Sequence, residues 1–448
     1  LGIVLSLLAP ALATKSPDCG GILSPSGLSY CKYRLHVSQT ALSKEGRQKL
    51  LSISRNQIDS VKVVDLSLLL IPEAGLRLSI DADLGITVSP STSKVVKLSI
   101  LADLHVERNP EGNLELTVAA CKPTVEEVQS TEETERSIPQ LFFVQAYGML
   151  CKYGIWINRI CLEVSKLLVL PNELLASLTA QLPITASCQL QYLPLAAPVI
   201  SEQGITVSLQ TAFLVAGTAL PLPVSPAPFS VPEAASASAS HLTLALSEHY
   251  YTSLFLALEK DGAFNATMAV SRARGSEKRA SGGHRPIGSL FQEDLPVRLK
   301  AAFRSSPRVL LEEGKAALKL FLTVHVGVGS PAFQNVLSMS VDMSAGLLLS
   351  VTDVKMMISA AAIEDAELSL AASDVGPVPA ALLEELFLST IREEILAQMN
   401  AVLSEGIYLP HVPNFIYTDV NVVIHKVRKQ TFKMFPAVFD LMPLERAG

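Results

Sequence analysis

The sequence predicts an α+β protein built from two domains of one design, each a twisted antiparallel sheet with long helices laid across one side. Three observations predict it. Long stretches of alternating apolar and polar residues recur in both halves, joined by tight turns. A helical segment follows the strands in each half. Between them, residues 215–240 read VAGTALPLPVSPAPFSVPEAASASAS, where five prolines and a Ser/Ala run make a semi-rigid connector. A chain of 448 residues exceeds what one hydrophobic core organises, so a division near the middle is expected.

The first thirteen residues, LGIVLSLLAPALA, form a short apolar run ending in Ala11-Leu12-Ala13, an A-x-A cleavage pattern. We read 1–13 as an incomplete signal peptide and the mature chain as secreted, starting near Thr14. All six cysteines (Cys19, Cys31, Cys121, Cys151, Cys161 and Cys188) lie in the first 188 residues, without zinc-site spacing. An even set in a secreted chain implies disulfides, and fifteen pairings remain open.

In the first half, 62–88 and 97–120 alternate as strands around the turns Pro72-Glu73-Ala74-Gly75 and Asn109-Pro110-Glu111-Gly112. Helical segments follow, from Ile160 to Leu168 and after Pro171. The second half opens with SEHYYTSLFLALEKDG (247–262), where Ser247 caps a helix, Gly262 ends it, and Tyr250, Leu254 and Leu258 share a face. Asn265-Ala266-Thr267 is an N-glycosylation sequon suited to an exposed loop. Strands are expected again over 308–328 and 337–373. The chain then reads SLAASDVGPVPAALLEELFLSTIREEILAQMNAVLSEGIYLP (369–410). A helix of roughly seven turns starts near Pro379, which fits only a first turn, and ends at Gly406 before Pro410. Along it Leu383, Leu386, Phe387, Ile391, Ile395, Met399, Val402 and Leu403 recur at three- and four-residue steps.

Composition narrows the function. With 49% hydrophobic residues, 17% charged and a mean hydropathy of +0.36, the apolar excess must enter large cores or cavities for apolar ligands. No window of eighteen apolar residues marks a transmembrane helix. The net charge is −6, and residues 1–200 carry 17 Lys/Arg against 18 Asp/Glu, so no basic platform for nucleic acid is expected. Glu126, Glu127, Glu132, Glu133 and Glu135 read as an acidic loop, and Arg272, Arg274, Lys278, Arg279 and Arg285 as a basic one. Gly327 to Ala332 matches G-x-G-x-x-A, but Pro331 interrupts the turn and the βαβ setting is missing. Hydrolase, zinc-protease and P-loop motifs are lacking, and His325 reads as an ordinary sheet residue. The expectation is a protein that is no enzyme and needs no cofactor or metal.

The two α+β halves, the proline-rich connector, LALSEHYYTSLFLALEKDGAF (244–264) and LAASDVGPVPAALLEELF (370–387) resemble the bactericidal/permeability-increasing, lipopolysaccharide-binding and PLUNC family. PDCGGILSPSGLSY (17–30), IPEAGLRLSI (71–80) and SSPRVLLEEGKAALKLFLTVHVG (305–327) resemble one member in particular. The resemblance implies a two-domain boomerang, with two barrels of twisted antiparallel sheet, each wrapped around long helices and joined by a central sheet. It also implies an apolar pocket in each barrel, so Leu383, Phe387, Ile391 and Ile395, with Tyr250 and Leu254, would line a lipid-sized tunnel. Helical phase turns Phe387 and Ile391 toward that tunnel, and Leu386 and Leu403 toward the sheet. Cys121 and Cys161 match the family's strand-to-helix disulfide.

The implied organisation is a domain over 14–214, the connector, a domain over 241–426, and an atypical tail over 427–448. The stretches 31–48 and 142–158 also depart from the family pattern, the first lacking the family's long amphipathic helix. The implied function is a secreted lipid- or amphiphile-binding protein, with antibacterial innate defence in egg white as its setting. The implied partners are phospholipid or fatty-acid chains. Bacterial lipopolysaccharide is a further family ligand, but the net charge of residues 1–200 argues against capture of its phosphates. A structural or storage glycoprotein and a lipid-transfer protein are the rival readings.

Overall fold

The computed structural model describes residues 16–29, 56–88, 92–130, 161–221, 240–269, 297–328 and 333–434, apart from 163, 167, 412, 414, 415 and 426–428. The expected signal peptide, the stretches 31–48 and 142–158, most of the connector and the basic loop lie outside the described residues.

A short strand, β1 (Cys19–Leu23), precedes a meander of long strands: β2 (Asn56–Ile71), β3 (Gly75–Val88), β4 (Thr92–Arg108) and β5 (Leu114–Ser130). Alternation builds this sheet. On β3, Leu76, Leu78, Ile80 and Ala82 are buried, while Arg77 is exposed and its Nε donates to Asp103 Oδ1 across the ladder at 2.7 Å. The predicted Pro72 to Gly75 turn closes β2 onto β3, with φ of 61° at Glu73 and 135° at Gly75. A Cβ on Gly75 would lie 2.3 Å from the Leu104 carbonyl oxygen, so only glycine fits.

After helical residues 161, 162 and 164–166 come α1 (Val169–Ala176), β6 (Leu182–Pro183), β7 (Cys188–Pro194), β8 (Val199–Ser201), β9 (Gly204–Val215), β10 (Thr218–Ala219) and β11 (Leu242–Ser247). Then α2 (Glu248–Lys260) leads into β12 (Ala266–Ala269) and a second meander: β13 (Val297–Glu312), β14 (Lys315–Val328), β15 (Gln334–Thr352) and β16 (Lys355–Ser373). The long helix α3 runs through Ala380–Leu383, a π turn at Glu384–Leu388, and Ser389–Leu403. Three strands close the described chain: β17 (Ile407–Tyr408), β18 (Val420–His425) and β19 (Lys429–Met434).

These strands make three sheets: the first meander alone, a six-stranded sheet in the order β12-β13-β14-β15-β16-β17, and a central sheet. The central sheet runs β18-β19-β11-β1-β9-β7-β6, with β8 and β10 also paired to β9. It therefore draws strands from both halves of the chain. Two expectations change here. The stretch read as connector begins as a tight β9–β10 hairpin, and the tail read as atypical places Lys429–Met434 between β11 and β18.

Among the described residues the apolar interior falls into two clusters. The larger unites the central sheet, α2, the six-stranded sheet and α3; the smaller joins the inner face of the first meander to Val164, Leu168 and Ile200. Cys161 is bonded to Cys121 of β5, Cα atoms 5.8 Å apart, across a separation of 40 residues. Cys19 and Cys188 are buried thiols. Burial, with the nearby Asp261 adding, pushes the Cys188 thiol up to about 12, and burial beside Asp18 raises the Cys19 thiol as well.

Peptide mapping without reduction should therefore recover the Cys121–Cys161 cross-link, while Cys19 and Cys188 react with alkylating agents only after denaturation. Replacing both bridged cysteines by serine should lower unfolding free energy by about 3–4 kcal/mol, the entropy of closing such a loop. Rapid native alkylation of Cys19 or Cys188 would contradict their placement.

Candidate ligand-binding core

The long helix begins where the sequence places it. Pro379 is the N-cap, with φ of −61° and ψ of 138°, and its carbonyl accepts from the Leu382 and Leu383 amides. Leu383, Phe387, Ile391, Ile395, Met399 and Leu403, each four residues apart, are buried. In α geometry a four-residue step overshoots one turn by about 40°, so the stripe should wind around the helix. The π turn at Glu384–Leu388 holds more residues per turn, so the step across it falls short and takes back part of that drift. The helix stops at Leu403 with Ser404 as its C-cap, so Gly406, read as the residue that ends the helix and with φ of 70°, lies one position beyond C′.

Two side-chain amides fasten this helix. Asn400 Oδ1 accepts from the Ala360 amide at 2.8 Å and its Nδ2 donates to the Ala360 carbonyl at 3.1 Å. The side chain thus takes the place of a further strand on β16. The first domain repeats the device: Asn172 of α1 accepts from the Leu116 amide of β5 at 2.8 Å and donates to its carbonyl at 3.0 Å. The sequence reading missed both residues. Their signal was a polar amide set among apolar helix positions in each half. Farther along α3, Gln398 Nε2 donates to the Ala263 carbonyl at 2.8 Å, tying the helix to the turn after α2.

Helix α2 is capped as predicted: Ser247 Oγ accepts from the Tyr250 amide at 3.2 Å, and Gly262 follows its C-terminus with φ of 76°. It is buried on nearly every side, between β9 and β11 of the central sheet and β13 of the six-stranded one. Its aromatic side chains fill that junction. Tyr250 stacks on Tyr192 at 6.5 Å and meets Tyr251 edge-on at 5.2 Å, with Phe213 tilted at 6.4 Å. The Tyr192 and Tyr250 hydroxyls are 3.2 Å apart, and Tyr192 donates to the Tyr408 carbonyl at 2.7 Å. Burial raises all three tyrosine pKa values, so these hydroxyls remain neutral donors.

Of the six residues assigned to a tunnel, Ile395 lines a cavity of about 10 Å³, together with Phe264, Phe303, Leu320, Leu322, Gln398 and Met399. That volume has room for a single water. Leu383, Phe387, Ile391, Tyr250 and Leu254 lie in the packed core around it. Of the two residues that helical phase turned toward the sheet, Leu403 is buried and Leu386 is half-buried against the same core, while Phe387 and Ile391 are both buried. Asn265 is exposed in the turn between α2 and β12, as a glycan acceptor requires. His325 sits on β14 with its Nδ1 2.8 Å from Ser338 Oγ.

One buried polar group invites a catalytic reading. Asp18 is fully buried; its Oδ1 accepts from the Thr211 amide at 2.9 Å and from Thr211 Oγ1 at 3.1 Å. Its Oδ2 lies 3.8 Å from His249 Nδ1, and Ser253 Oγ lies 3.4 Å from that same nitrogen. A proton relay needs acid and nucleophile on opposite ring nitrogens. This trio does not provide that, and Ser253 is itself buried. Among the described residues no group of His, Cys, Asp or Glu is placed to hold a metal, and no helix is long and apolar enough to cross a membrane.

The chain matches the C-terminal domain of the LBP / BPI / CETP family over residues 184–430 and its N-terminal domain over 33–153. The chain belongs to the LBP / BPI / CETP family. The N-terminal family match runs through most of 31–48 and 142–158, the stretches read as departing from the pattern. The chain is 53% identical to Protein TENP of Gallus gallus, over 95% of its length and 96% of that protein. It is 25% identical to human BPI fold-containing family B member 2, over 95% and 96%. Its fold superposes on the crystal structure of lipopolysaccharide binding protein with a TM-score of 0.56 at 18% identity, covering 94% of this chain and 98% of that one. The LBP / BPI / CETP fold thus accounts for two sheet-and-helix units sharing a central sheet.

Asn400→Ala should cost roughly 2–3 kcal/mol, because it strands a buried amide and a buried carbonyl together. Asn172→Ala should cost a similar amount in the other half. Asn400→Asp keeps the acceptor for the Ala360 amide but sets a carboxylate against the Ala360 carbonyl, so it should not restore stability. Urea unfolding of the three variants checks this, and three unchanged midpoints would show that the clasps carry no load.

Proposed function

We propose that the chain is a secreted, non-enzymatic protein that binds phospholipid or fatty-acid chains in the apolar interior of its second domain. The observation that carries this reading is the cavity between α3 and β13–β14, walled by six apolar residues and Gln398, in a chain whose family has members named for lipid binding. Such a wall offers chain burial and no chemistry. Secretion, a glycan on Asn265 and an antibacterial role in egg white are the finer parts of the same reading. They are supported by the leader-like run 1–13, the exposure of Asn265 and the resemblance drawn from 17–30, 71–80 and 305–327. Lipopolysaccharide is the less favoured ligand, since residues 1–200 carry a net charge of −1.

A cavity with room for one water does not hold an acyl chain, so binding requires α3 to move away from β13 and β14. That cost is fixed, whereas each buried methylene returns roughly 0.8 kcal/mol. Affinity should therefore be negligible for short chains and rise steeply once the gain exceeds the opening cost. The close packing around Tyr250 and Ile391 favours the second reading, a storage glycoprotein whose cores are simply full.

Native mass spectrometry of the purified protein, followed by a fatty-acid series from octanoate to stearate, separates the two. A lipid carrier shows bound lipid and a chain-length threshold that Ile395→Trp, which fills the cavity, abolishes. A storage protein carries no lipid and responds to no member of the series.

A further inference from the structure

The outer face of the six-stranded sheet sorts its charges by strand. Lys300, Arg304 and Arg308 project from β13 and Lys315 and Lys319 from β14, while Asp342 lies on β15 and Glu364, Asp365 and Glu367 on β16. Lys300 and Arg308 are about 25 Å apart along their strand. Asp342 pairs with Arg304, and Glu312 stands opposite Lys315. The rest of the row is not neutralised. Arg308 stands directly across the ladder from Lys319, and neither is ion-paired among the described residues. Like charges in directly opposite positions destabilise a sheet. Two register shifts, Phe303/Ser305 and Ser305/Arg308, fall beside this pair, and such irregularities re-aim side chains on a strand.

Apolar groups are interleaved with these cations. Leu310 is 40% exposed next to Arg308, Ala302 lies between Lys300 and Arg304, and Phe321 is half-buried beside Lys319. The Lys300 Nζ lies 4.3 Å from the centroid of the Phe333 ring. Cations alone would suit any polyanion, but cations alternating with apolar side chains suit an interface that is anionic at the surface and apolar beneath.

We propose that the outer face of β13 and β14 is a docking surface for an anionic lipid bilayer, with the Arg308–Lys319 pair at its centre. The choice of partner rests on the lipid-binding reading above; the surface itself does not. It lies on the opposite side of the sheet from α3 and the cavity, since Leu318, Leu320 and Leu322 of β14 point inward. Docking and lipid uptake are therefore separable. The bilayer's anionic headgroups offset the repulsion between the two cations, and Leu310 and Phe321 meet the interface between them.

Vesicle co-sedimentation of the full chain tests this, using phosphatidylcholine vesicles against vesicles containing phosphatidylglycerol, at low and high salt. We expect binding to the anionic vesicles, weakened by salt, and a loss on the order of 100-fold for R308E/K319E. K62E/K122E, exposed positions on the N-terminal sheet, changes net charge equally and should bind like the unaltered chain. R308Q/K319Q serves if the reversal disturbs folding, and native mass spectrometry of the same samples reports lipid content. A chain that docks yet carries no lipid leaves the surface standing and removes the lipid-carrier reading. Equal binding by R308E/K319E, indifference to vesicle charge, or capture by heparin with no binding to vesicles overturns the proposal; the last would assign the face to a polysaccharide.

Discussion

Strand β1 is the joint on which the rest of the molecule depends. All five of its residues have a partner on β9 and another on β11, so a segment from the start of the chain lies between strands from either side of the connector. The residue before it secures the register. Asp18 donates its amide to the Leu209 carbonyl at 3.1 Å, accepts from the Ser247 amide at 2.9 Å, and takes two hydrogen bonds from Thr211 on one carboxylate oxygen. A buried carboxylate is costly unless it is bonded in this way. A slip of one residue would remove Asp18 from Thr211 and exchange the opposite faces on which Cys19 and Ile22 are buried, so the cost of burying the charge works against misregister.

Because Ser247 both ends β11 and caps α2, fixing β1 also fixes where α2 leaves the central sheet. That sets the tyrosine cluster between the central sheet and β13, which makes the second half and the joint one continuous core. The first meander stands apart, with its own small cluster, its disulfide and its own helix. What the two halves share is the asparagine clasp. In each, the fourth strand of the meander leaves a backbone amide and carbonyl unmatched, and an asparagine on the following helix satisfies both. The repeat of architecture thus has a common chemical device although the letters differ.

Much of this was legible. Alternation marked both meanders because each sheet has one apolar face, and Ser247, Gly262 and Pro379 marked helix ends because their backbone chemistry admits few other places. The central sheet was expected from the family resemblance alone, since strands as short as β1, β6, β8 and β10 carry no period. The tail strand β19 was missed because KQTFKM is mostly polar and pairs along an outer part of that sheet. Packing was the least legible property. A stripe of Leu383, Phe387, Ile391 and Ile395 reads the same whether it faces a tunnel or a filled core, and the space left beside Ile395 is set by Phe264, Phe303, Leu320 and Leu322, which come from other elements.

The fastenings of α3 indicate which part of the wall yields if a lipid enters. Asn400 holds β16 through two bonds to groups that are buried, so releasing it exposes both at once. Gln398 is fastened by a single neutral bond to the Ala263 carbonyl, and it is itself a wall of the cavity. Such a bond has a net worth of about 0.5–1.5 kcal/mol, comparable with burying one or two methylenes at about 0.8 kcal/mol each. An acyl chain of ordinary length therefore outweighs the Gln398 fastening many times over, while the Asn400 clasp keeps the helix on its sheet. The same helix can then serve as a fixed element of the fold along β16 and as a movable wall toward β13 and β14, parting there from the turn that carries Ala263 and Phe264.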